Sequence, residues 1–135
     1  MFKTAIPVIR VTNASAAEAF YCGALGFQIK FAWRPDDSQP DPCYMTLVRD
    51  DARVHVHSFK SGASGQSAVY VFVDDVSLLY ADLTAKGIAV SGPLEQTWGM
   101  REIGVRDPDE NIITFGQRLD LADEPATPPG DNGSV

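Results

Sequence analysis

Apolar positions along the chain alternate between two periods, and the changes of period mark out its elements. "TAIPVIRV" (residues 4 to 11) has the run of a strand, and Ala17, Phe20, Tyr21, Ala24 and Leu25 then recur at helical spacing up to Gly26. Ser15 and Glu18 have the spacing of a capping box and predict the helix start. Three strand-like runs follow: "FQIKFAW" (27 to 33), "CYMTLVRD" (43 to 50) and "RVHVHSF" (53 to 59). The order is β-α-β-β-β.

Past the Gly and Ser punctuation of "SGASGQ" the order begins again. "SAVYVFV" (67 to 73) predicts a strand, and Asp75 caps a helix carrying Val76, Leu79, Tyr80 and Leu83 on one face. Lys86 and Gly87 suit its last turn and its C-terminal stop. "IAV" (88 to 90), "MREIGVRD" (100 to 107) and "NIITFGQ" (111 to 117) complete a second β-α-β-β-β. The halves also match in detail: "VTNAS" parallels "VDDVS", and each last strand follows an Arg-Asp turn. This pairing places Ile6 opposite Ala68, and His55 opposite Thr114.

The expected fold is therefore α+β, with two βαβββ modules (4–59 and 66–118) in one domain over 1–118. In the first and last strands of each module one parity is mostly aliphatic: Ile9 and Val11, Val54 and Val56, Val69, Val71 and Val73, Ile113 and Phe115. It should pack under the helices. The other parity is chemically mixed, with Arg10, His55, His57, Tyr70, Phe72 and Thr114, and is the face expected to line a cleft. From residue 119 the chain is rich in Pro, Gly and acidic residues without apolar periodicity, and a disordered tail is expected.

Composition narrows the function. The chain has 135 residues, 44% hydrophobic and 21% charged, which are ordinary globular values. A formal charge of -7 argues against nucleic acid, whose phosphates are bound by clustered Lys and Arg. No run approaches a membrane span, and "MFKTAIPVIRV" lacks the pattern of a secretory signal. Cys22 and Cys43 lack CxxC spacing and read as reduced thiols. A cytoplasmic protein without a membrane partner is the expectation.

The duplicated module, with "FYCGALGFQIKF" closing the first helix and "VRDPDENIITFGQ" near the end, resembles the glyoxalase/bleomycin-resistance (vicinal oxygen chelate) superfamily. The resemblance implies a curved mixed sheet around a cleft. It also implies that the superfamily's enzymes hold a divalent metal at positions matching Ile6, His55, Ala68 and Thr114, of which only His55 is a ligand of the usual kind. The expectation is no metal, no cofactor and no catalytic residue.

"EQTWGMREIGVRDPDENIITFGQ" looks like the bleomycin-resistance branch, which binds its drug without transforming it. The resemblance implies a homodimer whose groove takes a bleomycin-like planar, cationic antibiotic. Candidate ligand-binding residues are Phe31, Trp33, His55, His57, Tyr70, Phe72, Trp98 and Arg101, with Asp36, Asp37 and Asp41 facing a positive tail. The alternative is a metal-dependent lyase, transferase or dioxygenase with a degenerate site that includes His55. Glu110 stands where "DPDGN" is usual, which implies a strained or altered turn.

Overall fold

The computed structural model describes residues 1–60 and 65–119; the expected tail, from residue 120 on, lies outside the described residues. Among the described residues, eight strands and two α-helices run in the predicted order: β1 (Val8–Arg10), α1 (Ala14–Glu18), β2 (Gln28–Trp33), β3 (Tyr44–Arg49), β4 (Ala52–His57), β5 (Ala68–Phe72), α2 (Val76–Ala85), β6 (Ser91–Glu95), β7 (Met100–Arg106) and β8 (Ile112–Arg118). They form two four-stranded mixed sheets, in the orders β1-β4-β3-β2 and β5-β8-β7-β6. Each sheet is one βαβββ module, so the fold class read from the sequence is the one observed. By contacts the chain divides into two compact units, Met1–Val69 with Arg106–Ile112, and Tyr70–Val105 with Ile113 onward.

The repeat extends to single hydrogen bonds. In the first module the Val11 N–H donates to the His57 carbonyl at 2.8 Å, and in the second the Val73 N–H donates to the Gly116 carbonyl at 2.9 Å. His57 and Gly116 are therefore equivalent, as the pairing of His55 with Thr114 requires.

Two local expectations are corrected. The first helix starts at Asn13, whose Oδ1 accepts the Ala16 N–H at 2.8 Å, so Ser15 is not the cap. It then widens into a π-helical stretch, Ala19–Ala24, in which the Leu25 N–H reaches back five residues to the Phe20 carbonyl. The wider turn keeps Ala17, Phe20, Tyr21, Ala24 and Leu25 all buried. The strand expected at 88 to 90 lies instead at Ser91–Glu95. Ile88 is held to α2 by its N–H to Leu83, and pairing with β7 starts only at Ser91. Asp75 caps α2 as expected, accepting the Leu78 N–H at 3.0 Å.

In the first unit the core comprises that helical stripe with Ile9 and Val11, Met45 and Leu47, and Val54 and Val56. In the second, Val76, Leu83, Met100, Ile103, Val105, Ile113 and Phe115 are buried, while Val71 and Val73 are only partly covered, as is Val69 at the end of the first unit's Met1–Val69 segment. The 107–111 turn fastens the first unit. Asp107 accepts from the Tyr21 hydroxyl, the Asn111 side chain and the Asn111 N–H at 2.8 Å each, and from the Asp109 N–H at 2.9 Å. Asp109 in turn accepts from the Thr12 N–H and hydroxyl. Glu110 sits at φ 69°, the left-handed geometry that favours glycine.

Candidate functional site

Strand register decides which side chains stand together on the outer face of the first sheet. One row across it reads Arg10, His57, Tyr44, Trp33, from β1 to β4 to β3 to β2. The next row reads Val8, His55, Thr46, Phe31. A register shift between Ile29 and Phe31 sets the second row: one extra residue in β2 brings Phe31 opposite Thr46 and keeps it on the face of Trp33. The opposite parity of β1, β3 and β4 is the buried core, so this face is left to carry chemistry.

Above these rows is a cleft of about 590 Å³ lined by Phe31, Trp33, Tyr44, His57, Phe59 and Lys60, a volume in the range of small-molecule sites. Its rings are already ordered in pairs. Trp33 stacks on Phe59 with centroids 5.8 Å apart and planes 7° from parallel, and Tyr44 stacks on His57 at 5.5 Å and 4°. His57 also meets Phe59 at 6.0 Å. Even so, Trp33 and Phe31 remain 49% and 58% exposed, an apolar surface of the kind that marks a contact site.

The polar groups of the cleft are few. The Phe59 N–H donates to His57 Nδ1 at 3.2 Å, which requires a lone pair there and places the proton of the neutral ring on Nε2. Burial, and then the charge of Arg10, push the His57 pKa below its ordinary value, in agreement with that neutral form. The Arg10 Nε donates to the Phe59 carbonyl at 2.9 Å, so the guanidinium is held at the Phe59–Lys60 end of the row. His55 is engaged differently: its Nδ1 and the Tyr44 hydroxyl are 2.9 Å apart.

The carboxylates of the acidic loop are partly engaged in local hydrogen bonds. The Asp36 carboxylate is held by the N–H and hydroxyl of Ser38, which also lower its pKa, and Asp41 accepts the Ala14 N–H at 2.8 Å. Two of its three carboxylates thus serve the loop and the start of α1.

Of the candidate residues, Phe31, Trp33 and His57 line the cleft, and His55 lies in the adjacent row with its Nδ1 against the Tyr44 hydroxyl. Tyr70, Phe72, Trp98 and Arg101 lie in the second module. Tyr70 and Phe72 pack edge to face at 5.3 Å. The Tyr70 ring crosses β8 over Gly116, where an added Cβ would meet the phenol oxygen and, at 2.6 Å, ring carbon Cζ. Its hydroxyl then donates to Glu102 at 2.7 Å, and burial followed by that bond and the Glu102 charge raise its pKa. Arg101 pairs with Glu95 at 2.7 Å, and Trp98 is half-buried in the turn between β6 and β7.

A family model described as glyoxalase superfamily protein matches residues 1–122. The chain belongs to the glyoxalase superfamily. No curated protein matches this superfamily member in sequence. Among solved structures, it is similar to an antibiotic-binding protein from a Streptomyces species, at 24% identity and a TM-score of 0.67 over 87% of this chain and 98% of that one. The bleomycin-binding protein of Streptomyces verticillus, complexed with copper(II)-bleomycin, shares 24% identity and a TM-score of 0.68 over 85% and 95%. A lactoylglutathione lyase from Agrobacterium tumefaciens shares 20% identity and a TM-score of 0.68 over 85% and 94%. At such identities the likeness is one of fold.

The residues of this glyoxalase-superfamily chain do not fit the divalent metal that the resemblance associates with the superfamily's enzymes. The β1 neighbour of His55 is Val8, the β3 neighbour is Thr46, and the equivalent position in the second module is Thr114. Among the described residues no three His, Cys, Asp or Glu are grouped to hold an ion. Both cysteines are free, and burial raises the pKa of each. No helix among the described residues is long and apolar enough to cross a membrane.

Tyr44, Phe59 and Lys60 line the cleft without having been singled out in the sequence. Tyr44 shows a usable signal, since it alternates with the aliphatic Met45 and Leu47. Phe59 continues the parity of His55 and His57 past the end of β4, and Lys60 follows it in a turn that no periodicity locates.

Proposed function

We propose that this chain is a binding protein of the antibiotic-sequestering kind, holding a planar aromatic small molecule in the cleft of its first module without converting it. The observation that carries the reading is the partly exposed pair of ring stacks, Trp33 on Phe59 and Tyr44 on His57, joined by Phe31 along one wall. Such stacks offer flat apolar faces, and a planar ligand laid on them gains roughly 0.5–1.5 kcal/mol per aromatic contact beyond the area it buries. The antibiotic-binding and bleomycin-binding proteins that share the fold support the ligand class. The cleft lining of two phenyl rings, an indole, a phenol, one imidazole and one amine supports retention rather than reaction, because His57 Nδ1 is already committed to a backbone N–H and the Tyr44 hydroxyl to His55. A homodimer in the cytoplasm is part of this proposal and rests on the resemblance.

Calorimetric titration with bleomycin and other planar antibiotics tests the reading, with mass spectrometry of the recovered ligand. Saturable binding at micromolar concentrations, an unchanged ligand and at least a tenfold loss in Trp33→Ala are expected, since one ring pair contributes roughly 1.4 kcal/mol or more with its burial. A ligand recovered chemically altered, or affinity indifferent to Trp33→Ala, would reject it.

A further inference from the structure

The ionic charge in the cleft lining is positive. Lys60 is the charged side chain in its lining. Arg10 stands in the same cross-strand row as His57, with its guanidinium fixed to the Phe59 carbonyl at 2.9 Å. No carboxylate is among the lining residues, and Asp36 and Asp41 of the nearby acidic loop accept from Ser38 and Ala14. This local sign runs against a formal charge of -7 for the whole chain, so it is not a consequence of a basic protein.

We infer that the cleft selects planar aromatic molecules bearing an acidic group, a carboxylate or an acidic ring hydroxyl, with the rings on the Trp33–Phe59 and Tyr44–His57 stacks and the anion at Lys60. The inference rests on the binding function proposed above and reverses the sign of the ligand charge expected from the sequence. An ammonium on flexible methylenes suits a single anionic atom, while Arg10, tied by its Nε to the Phe59 carbonyl, supplies fixed positive potential nearby. The neutral His57 can donate from Nε2 to the same anion without first taking a proton. A cationic ligand would meet Lys60 with no carboxylate in the lining to offset it.

A matched trio tests this: anthraquinone-2-carboxylate, its carboxamide, and the corresponding 2-methylammonium compound, titrated calorimetrically against the full chain. Lys60 is exposed, so its charge is screened and the expected preference is about five- to tenfold for carboxylate over carboxamide at low salt, shrinking at 0.5 M salt. The methylammonium compound should bind weakest. In Lys60→Gln the ratio of carboxylate to carboxamide affinity should collapse toward one, and in Lys60→Glu it should invert. Equal binding of the trio, or a preference for the ammonium, overturns the inference and leaves the aromatic cleft standing. Binding of none of the three overturns both.

Discussion

Tyr21→Phe removes one oxygen atom from the centre of the first unit and should cost it about 2 kcal/mol. Tyr21 is 1% exposed, and its hydroxyl donates at 2.8 Å to Asp107, itself 2% exposed. The ring keeps its place in the variant, because its edge-to-face contacts with Phe20 at 5.2 Å and Phe27 at 6.4 Å do not involve the oxygen. Asp107 keeps three donors, two from Asn111 and the Asp109 N–H, so no unpaired carboxylate is left buried. The loss is then one hydrogen bond to a charged acceptor, roughly 1.5–3 kcal/mol. With a urea slope of about 2 kcal/mol per M, the midpoint falls by about 1 M. Trp33 fluorescence in a Trp98→Phe background reads the first unit alone. Asp107→Asn, which turns an NH2 toward groups that are themselves donors, should cost more. A Tyr21→Phe midpoint within 0.2 M of the parent would refute the reasoning.

Glu110→Gly relieves a left-handed residue at φ 69° and gives up only an exposed pair with Arg106 at 3.6 Å, so urea unfolding should show a gain of about 0.5 kcal/mol; a loss would contradict the strain. Gly116→Ala drives a Cβ into the Tyr70 ring and should destabilise the second unit by roughly 1–3 kcal/mol, with Tyr70→Ala less than additive in the same chain; full additivity would place the clash elsewhere. The His57 imidazole should titrate below its ordinary 6.5 by NMR, because burial and then Arg10 favour the neutral ring, and Arg10→Gln should move the midpoint upward. A folded pKa below the unfolded one means that the unfolded chain protonates first. Stability linked to His57 is therefore present above about pH 6.5 and declines as the pH falls below it, and an NMR midpoint at or above 6.5 would remove that link.

The duplicated module was legible because strand and helix periods recur in the same order, and Val11–His57 and Val73–Gly116 repeat the same hydrogen bond. The buried parity of β1, β4 and β8 was legible too, since one face of each strand must leave water. Register was not. Nothing in "CYMTLVRD" says that Tyr44 stands between Trp33 and His57, because that depends on how two antiparallel strands align and on an irregularity in β2. The start of the first helix was misread for a similar reason: Asn13 and Ser15 are both good caps, and the choice falls to the one whose backbone is extended at the end of β1. The charge of the cleft was the least legible property. The run of aspartates in the 34–42 loop draws attention in the sequence, whereas the charged side chain in the cleft lining is Lys60, which follows the end of β4.

The central claim is the location of the site, and amide and indole N–H shifts of the 15N-labelled chain during titration with anthraquinone-2-carboxylate test it directly. Saturable shifts concentrated at Phe31, the Trp33 indole, Tyr44, His57, Phe59 and Lys60 are predicted. Shifts confined to the Trp98 turn and Arg101 of the second module, with the first-module rings unmoved, would contradict it.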